Sequence, residues 1–312
     1  MSDNASQPKM PPLWVVKTRA PFFVADIVPV TLGTALAWAR TGAFNLWYFL
    51  LTLIGAIALN AGTNMTNDYF DHKWGSDEIN TEFANPFTGG SRLIQLGLVK
   101  PEEMLWQGIG FFVLGSVIGL FLAFTRSWAI FWLGVIGVFC GYFYTAPPVR
   151  LARTGIGELA VGLCFGPLMA LGAYVVQTRQ LAWEPVIAAI PVGFLVALIL
   201  WINEFQDMRA DAAVGKNHLV VRIGRRRAAV AYGVMLALTY LSIVGGVLLD
   251  NVTPFALIGL LTIPLSLQAY RIARVHYDHP RELTPANALT IRIHLLTGLL
   301  LGFGYLLQGI IG

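Results

Sequence analysis

The chain has 312 residues, 56% apolar and 12% charged, with formal net charge +4 and a mean hydropathy of +0.65. Soluble domains run to about 25% charged residues, so the charge available for a water-facing surface is about half the usual supply. That balance excludes a soluble two-domain enzyme and a disordered or fibrous chain, and it defines a polytopic membrane protein.

In chain order, Met1 to Pro12 is polar and Pro-rich and lacks the basic-then-apolar order of a cleavable signal. The tail extends to residue 20, and the first span is expected to direct its own insertion. A bilayer crossing needs about 20 mostly apolar residues. The first such run is 21–39, which contains Asp26, and the second, 46–66, leads into an acid-rich stretch. Spans 104–125 and 128–146 carry the small-residue spacings Gly115/Gly119 and Gly137/Gly141, which suit close helix packing. Cys140 and Cys164 fall in the fourth span and the fifth, 156–177; two thiols in apolar runs make neither a disulfide framework nor a thiolate metal site. The sixth, 184–203, ends in a second acid-rich stretch, and 228–249, 253–273 and 288–311 complete the chain. The fold class is therefore all-α, nine transmembrane helices in one bundle, with residues 1–312 forming a single domain.

Lysine and arginine set the orientation. With the N-terminal tail grouped with the even-numbered connections, the opposite side keeps only Arg40, Arg126 and Arg179, so 18 of the 21 basic residues share one face. This places the N-terminus in the cytoplasm and the C-terminus outside, in the cell (inner) membrane. The pI near 9.1 is then a topology signal, to which the run Arg225 to Arg227 belongs. No nucleic-acid-binding motif accompanies it, so nucleic acid is not an expected partner; membrane lipid headgroups or an anionic substrate suit the basic face.

Eight of the 17 acidic residues lie in two stretches at the ends of the second and sixth spans, on the cytoplasmic side by helix counting. Asp68 and Asp71 are three apart, and Asp207 and Asp211 four apart, so each pair projects from one helix face. Asn64 precedes Asp68 by one turn, as Asn203 precedes Asp207. The matched pattern reads as a weak internal duplication, helices 1–4 and 5–8 with helix 9 appended, facing the two clusters across a pseudo-symmetry axis. Intramembrane charges cost about 2.5–3.5 kcal/mol each even on the mild insertion scale, so converging aspartates require a cation. Oxygen-only donors suit a hard ion, Mg²⁺ or Ca²⁺, and Mg²⁺ in particular when a phosphate completes its shell. Beside the acids, Lys73, Arg92 and Lys216 are candidate phosphate holders, and Gly89-Gly90-Ser91-Arg92 is a candidate anion-binding turn. The five histidines share no metal-ligand spacing, and no P-loop, serine elbow or dinucleotide fingerprint is present.

At these residues the chain resembles the UbiA-type intramembrane prenyltransferases over nearly its whole length. Asn67-Asp68-Tyr69-Phe70-Asp71 resembles the family's first aspartate motif, and Gly75 with Asp77 beyond it is similar to the branch acting on 1,4-dihydroxy-2-naphthoate in menaquinone synthesis. Asp207-Met-Arg-Ala-Asp211 followed by Gly215-Lys216-Asn217-His218-Leu219 resembles the second motif. Tyr144-Thr145-Ala146-Pro147-Pro148, Gly155-Ile156-Gly157-Glu158, Phe165-Gly166-Pro167, and Arg19 with Phe22, Pro29, Val30 and Gly33 are similar to the middle and opening segments. The chain departs from that branch at Asn203-Glu204, where paired asparagines are usual, and at Ala146-Pro147, where a glycine pair is usual; both bear on acceptor identity.

The resemblance implies Mg²⁺-dependent transfer from a polyprenyl diphosphate to a naphthoate-type aromatic acceptor. Asp68, Asp71, Asp207 and Asp211 would be the catalytic metal ligands, with Asn64, Asn67 and Asn203 as further oxygen donors. Lys73, Arg92 and Lys216 would face the diphosphate, Tyr144 and Phe165 the developing cation, and Asp77 or Glu158 the acceptor. Two alternatives stay open: another quinone or lipid acceptor, or terpene cyclisation, on the same scaffold; and a transporter, which calls for mid-membrane ionisable groups and broken helices.

Overall fold

The computed structural model describes residues 11–311; Lys9, counted above with the tail, lies outside them. The described residues are helical with no strand. Eight helical segments are long and apolar enough to cross a membrane: α1 Ala20–Thr41, α2 Leu46–Trp74, α3 Pro101–Thr125, α5 Gly157–Thr178, α6 Glu184–Ala213, α7 Arg225–Leu248, α8 Pro254–His276 and α9 Pro280–Ile311. Between α3 and α5 lies the shorter apolar α4, Ala129–Tyr142. Its 14 residues rise about 21 Å, against about 30 Å of hydrocarbon. The run expected to continue to residue 146 stops at Tyr142 because the chain turns through Phe143–Arg150, where Pro147 and Pro148 offer no backbone N–H to a helix.

α6 is the central helix. Its Val192 and Val196 pack with Val28, Leu32 and Leu36 of α1 and with Leu301 and Tyr305 of α9. Lower on the same helix, Leu198, Ile202 and Phe205 meet Tyr232 of α7, Ala269 of α8 and Ile293 of α9. On the outside, Trp47, Trp106, Phe124, Trp132 and Leu261 are exposed, an apolar surface that water would not tolerate and lipid does. α2 and α3 touch backbone to backbone: a Cβ at Gly62 would lie 2.9 Å from the Gly108 carbonyl oxygen, so any side chain there parts the helices.

α2 has 29 residues and α6 has 30, more than a crossing requires. The surplus turns carry the aspartate pairs. α2 closes at Gly75 (φ 80°), whose N–H caps the Asp71 and His72 carbonyls. Beyond α6, Gly215 (φ 73°) reverses the chain so that the Lys216 N–H bonds the Asp211 carbonyl at 2.8 Å. A left-handed turn of this kind favours glycine, and it folds Lys216 back onto the helix end it follows.

The four glycines expected to tighten packing divide. Gly115 lies against Leu59 and Gly141 against Thr63, as close packing requires. All four line one cavity, but Gly119 and Gly137 have open space where a Cβ would be.

Candidate active site

The extra turns of α2 and α6 meet at the mouth of a cavity of about 760 Å³. One contact carries the geometry: the Lys216 ammonium donates to both oxygens of Asp71, at 3.1 and 3.0 Å, and lies 3.3 Å from Asp211. The two aspartate motifs, remote in sequence, thus share one cation. Burial alone would pull the Lys216 ammonium down, but Asp211 and Asp71 outweigh it and hold it well above its ordinary range. A second bridge runs from Asn80 to Asp207, Nδ2 to Oδ1 at 2.6 Å. Asn67 donates to Asp71 at 3.0 Å, and Asn287 of α9 to Asn203 at 2.7 Å.

Asp68 is held differently. Its carboxylate accepts from the Arg19 guanidinium, which also reaches Asn67 at 3.3 Å, and from the Ser91 N–H at 3.1 Å. The glycine turn therefore does cradle an anion, and the anion is the protein's own Asp68. Gly90 (φ 72°) permits this approach: a Cβ there would come within 2.6 Å of Asp77 Oδ2. Asp77 lies behind the turn, and burial followed by the charges of Asp71 and Asp68 pushes its carboxyl well above the usual range.

Of the expected site residues, Asn64, Asn67, Asp71, Asp77, Tyr144, Asn203, Asp207, Asp211 and Lys216 line the cavity. Lys73 is exposed, above the Tyr69 ring, and Arg92 lies over Phe83 with its guanidinium on the Asp77 carbonyl; neither lines the cavity. Two participants, Arg19 and Asn80, were not expected in the site. Arg19 was hidden among tail charges that set topology, and Asn80 lay in an acid-rich loop whose path no periodicity reveals. Arg225, read above only as a topological charge, is also 5% exposed, with its guanidinium on Glu82, Asp278 and the Phe205 carbonyl. Because Glu82 also pairs with Arg209 at 2.7 Å, the loop after α2 is tied to α6 and α7.

Away from the mouth the cavity becomes apolar, walled by α3, α4 and α5 through residues such as Ile118, Leu122, Leu133 and Val176. On its α1–α2 wall, Asn60 donates to Asp26 at 2.6 Å, and Asn64 donates to Asn60 at 3.1 Å, a polar file descending from the mouth. α5 contains a π turn over Cys164–Leu168, at Pro167.

A helical membrane bundle that gathers carboxylates, asparagine oxygens and partly buried cations over an apolar chamber has the make-up of an enzyme that works inside the bilayer. The chain is a member of the UbiA prenyltransferase family, whose pattern matches residues 27–305, and it is a prenyltransferase. It is similar to the 2-carboxy-1,4-naphthoquinone phytyltransferase of Synechocystis sp., 29% identical over 94% of this chain and 92% of that one. It is 33% identical to the 1,4-dihydroxy-2-naphthoate octaprenyltransferase of Mycobacterium tuberculosis, over 82% of this chain and 84% of that one. A solved UbiA homolog from Archaeoglobus fulgidus bound to DMAPP and Mg²⁺ shares the fold, with a TM-score of 0.62 and 18% identity over 94% of this chain and 98% of that one.

Proposed function

We propose that the protein transfers a polyprenyl group from polyprenyl diphosphate to 1,4-dihydroxy-2-naphthoate or a close naphthoate acceptor, with Mg²⁺, in menaquinone-type quinone synthesis. In this reading the chain crosses the membrane nine times as a single domain built from two weakly related units and a last helix. The N-terminus and the site then face the cytoplasm. The observation that carries it is the Lys216 bridge between Asp71 and Asp211, which brings both aspartate motifs within reach of one diphosphate.

The donor set fits Mg²⁺: Asp71, Asp207 and Asp211, with Asn67 and Asn203 beside them, offer oxygen only and no thiolate. Asp68 completes the set once Arg19 exchanges its carboxylate for a phosphate oxygen. When bound, Mg²⁺ supplies positive charge opposite the leaving diphosphate. Lys216 and Arg19, turned from their carboxylates, would add cations to the same oxygens, so the negative charge that grows as the C1–O bond breaks is met by side chains as well as by the metal. Tyr144 and Phe165 line the cavity, where a π face would stabilise an allylic cation. The apolar walls exclude the water that would quench that cation as an alcohol, and the aromatic acceptor attacks it instead, the new C–C bond replacing the proton or the carboxyl group (as CO₂) lost from the attacked ring carbon.

The test is product analysis with one labelled prenyl diphosphate and an acceptor panel: a prenylated naphthoate product supports the reading, and a cyclised or lipid-linked product replaces it. Chelator is expected to abolish turnover and added Mg²⁺ to restore it; turnover insensitive to chelation would remove the metal from the mechanism. The open walls at Gly119 and Gly137 suit the prenyl tail. Gly137→Phe is therefore expected to raise KM about tenfold or more for long prenyl diphosphates while sparing short ones, since the pocket loses length and keeps its mouth.

A further inference from the structure

Glu204 stands one residue after Asn203 on α6, and no step above uses it. Glu158, in the first turn of α5, and His218, the N-cap of the short helix Leu219–Ile223, converge on it. Each of the three offers an atom within 4.8 Å of the others, and they are 3%, 7% and 2% exposed for Glu158, Glu204 and His218. Glu204 and His218 line the cavity beside Lys216 and Tyr144.

Three buried atoms in this group have no hydrogen-bond partner: Glu158 Oε2, Glu204 Oε2 and His218 Nε2. Their partners elsewhere settle what each one offers. Glu158 Oε1 accepts the Leu219 N–H at 2.7 Å, leaving Oε2 as a free acceptor. The Val221 N–H points at His218 Nδ1 at 3.4 Å, which makes Nδ1 an acceptor with the ring proton on Nε2, and the same Nδ1 lies 3.4 Å from Glu204 Oε2. Nε2 lies 3.3 Å from Asp211 Oδ2 without hydrogen-bond alignment. The group thus presents carboxylate acceptors and one N–H donor.

A metal ion needs lone pairs from all three residues, and the imidazole lone pair is already turned to the backbone. An ammonium has nothing to give the Nε2 proton, and a carboxylate is repelled by the two glutamates. A hydroxyl donates and accepts at once. On the aromatic-acceptor reading above, we propose that Glu204, backed by Glu158 and His218, docks a phenolic hydroxyl of the acceptor and so selects the reduced, dihydroxy ring. A ring oxygen without a hydrogen, whether methyl ether or quinone carbonyl, can accept from the His218 N–H but gives the glutamate oxygens no donor, and a buried acceptor left unpaired is penalised.

The experiment uses the full chain in lipid nanodiscs with Mg²⁺ and one labelled prenyl diphosphate. It compares 1,4-dihydroxy-2-naphthoate, kept reduced, with its 1,4-dimethyl ether. The wild-type protein is expected to favour the dihydroxy ring. Glu204→Gln raises KM for that ring about tenfold or more, leaves KM for the prenyl diphosphate unchanged, and removes the preference over the ether. Glu158→Gln keeps an amide oxygen for the Leu219 N–H and reproduces the loss of preference in smaller measure, which covers failure of the first variant to fold. Equal loss with both acceptors, a raised KM for the diphosphate, or disappearance of a bound metal in either variant by elemental analysis overturns the docking site. Transfer to no aromatic ring by the wild-type protein overturns the acceptor reading itself; transfer with an unchanged preference in both variants overturns only this inference.

Discussion

Asp71→Asn and Asp207→Asn each reduce prenyl transfer by roughly 10³-fold or more, with insertion and melting preserved. The magnitude follows from the position of the charge, since one preorganised group opposite a developing anion is worth about 10²–10³ in rate and a lost metal ligand removes more than one such contact. Asparagine keeps the shape of both sites. At position 71 it retains an oxygen for Lys216 and a partner for Asn67. At position 207 it retains an oxygen for the Asn80 amide. What changes is the formal charge and one oxygen donor. The measurement is turnover across a Mg²⁺ titration, with thermal melting in detergent as the control. Near-wild-type turnover at saturating Mg²⁺ would remove these carboxylates from metal binding.

Lys216→Ala separates a functional lysine from one that only sets orientation. Its side chain is 13% exposed, and its ammonium neutralises Asp71 and Asp211 together. Removing one partner of a buried ion pair costs about 3–5 kcal/mol, because the opposite charge is left uncompensated. Here two carboxylates are left, so the metal-free protein is expected to melt several degrees lower. Mg²⁺ then recovers more of the loss than it adds to the wild-type protein, since a cation that binds only the folded state stabilises it by mass action. At saturating Mg²⁺, kcat still falls by about 10²–10³-fold, for want of a fixed donor at the leaving group. Unchanged kcat together with an unchanged Mg²⁺-induced melting shift would leave Lys216 a topological charge, the role that exposed Lys73 is free to have.

Several levels of this protein follow from residue order. Apolar runs locate the crossings because hydrocarbon demands about 20 such residues whatever the neighbours are, and eight expected spans coincide with long apolar helices. The spacing of Asp68 and Asp71, and of Asp207 and Asp211, places each pair on a helix face because 3.6 residues per turn is a local property. The carboxylate motifs, with the family resemblance they carry, were therefore readable before any fold was known.

Helical periodicity names a face and never its neighbour, and partnership is where tertiary structure decided. Lys216 and Lys73 are the same chemical group near the same membrane end; only the reversal at Gly215 puts one between two aspartates, while the other stays exposed over Tyr69. Arg225 and Arg19 carry the positive charge that orients a membrane chain, and that charge has the same sign whether it faces lipid phosphate, Glu82 or Asp68. Gly119 and Gly137 have the composition of a packing motif, and whether a missing side chain brings helices together or opens a chamber depends on where the next helix lies. Residue order determined which groups exist and which way each helix turns them; the packing of α2 against α6 and the loops beyond them determined which groups meet.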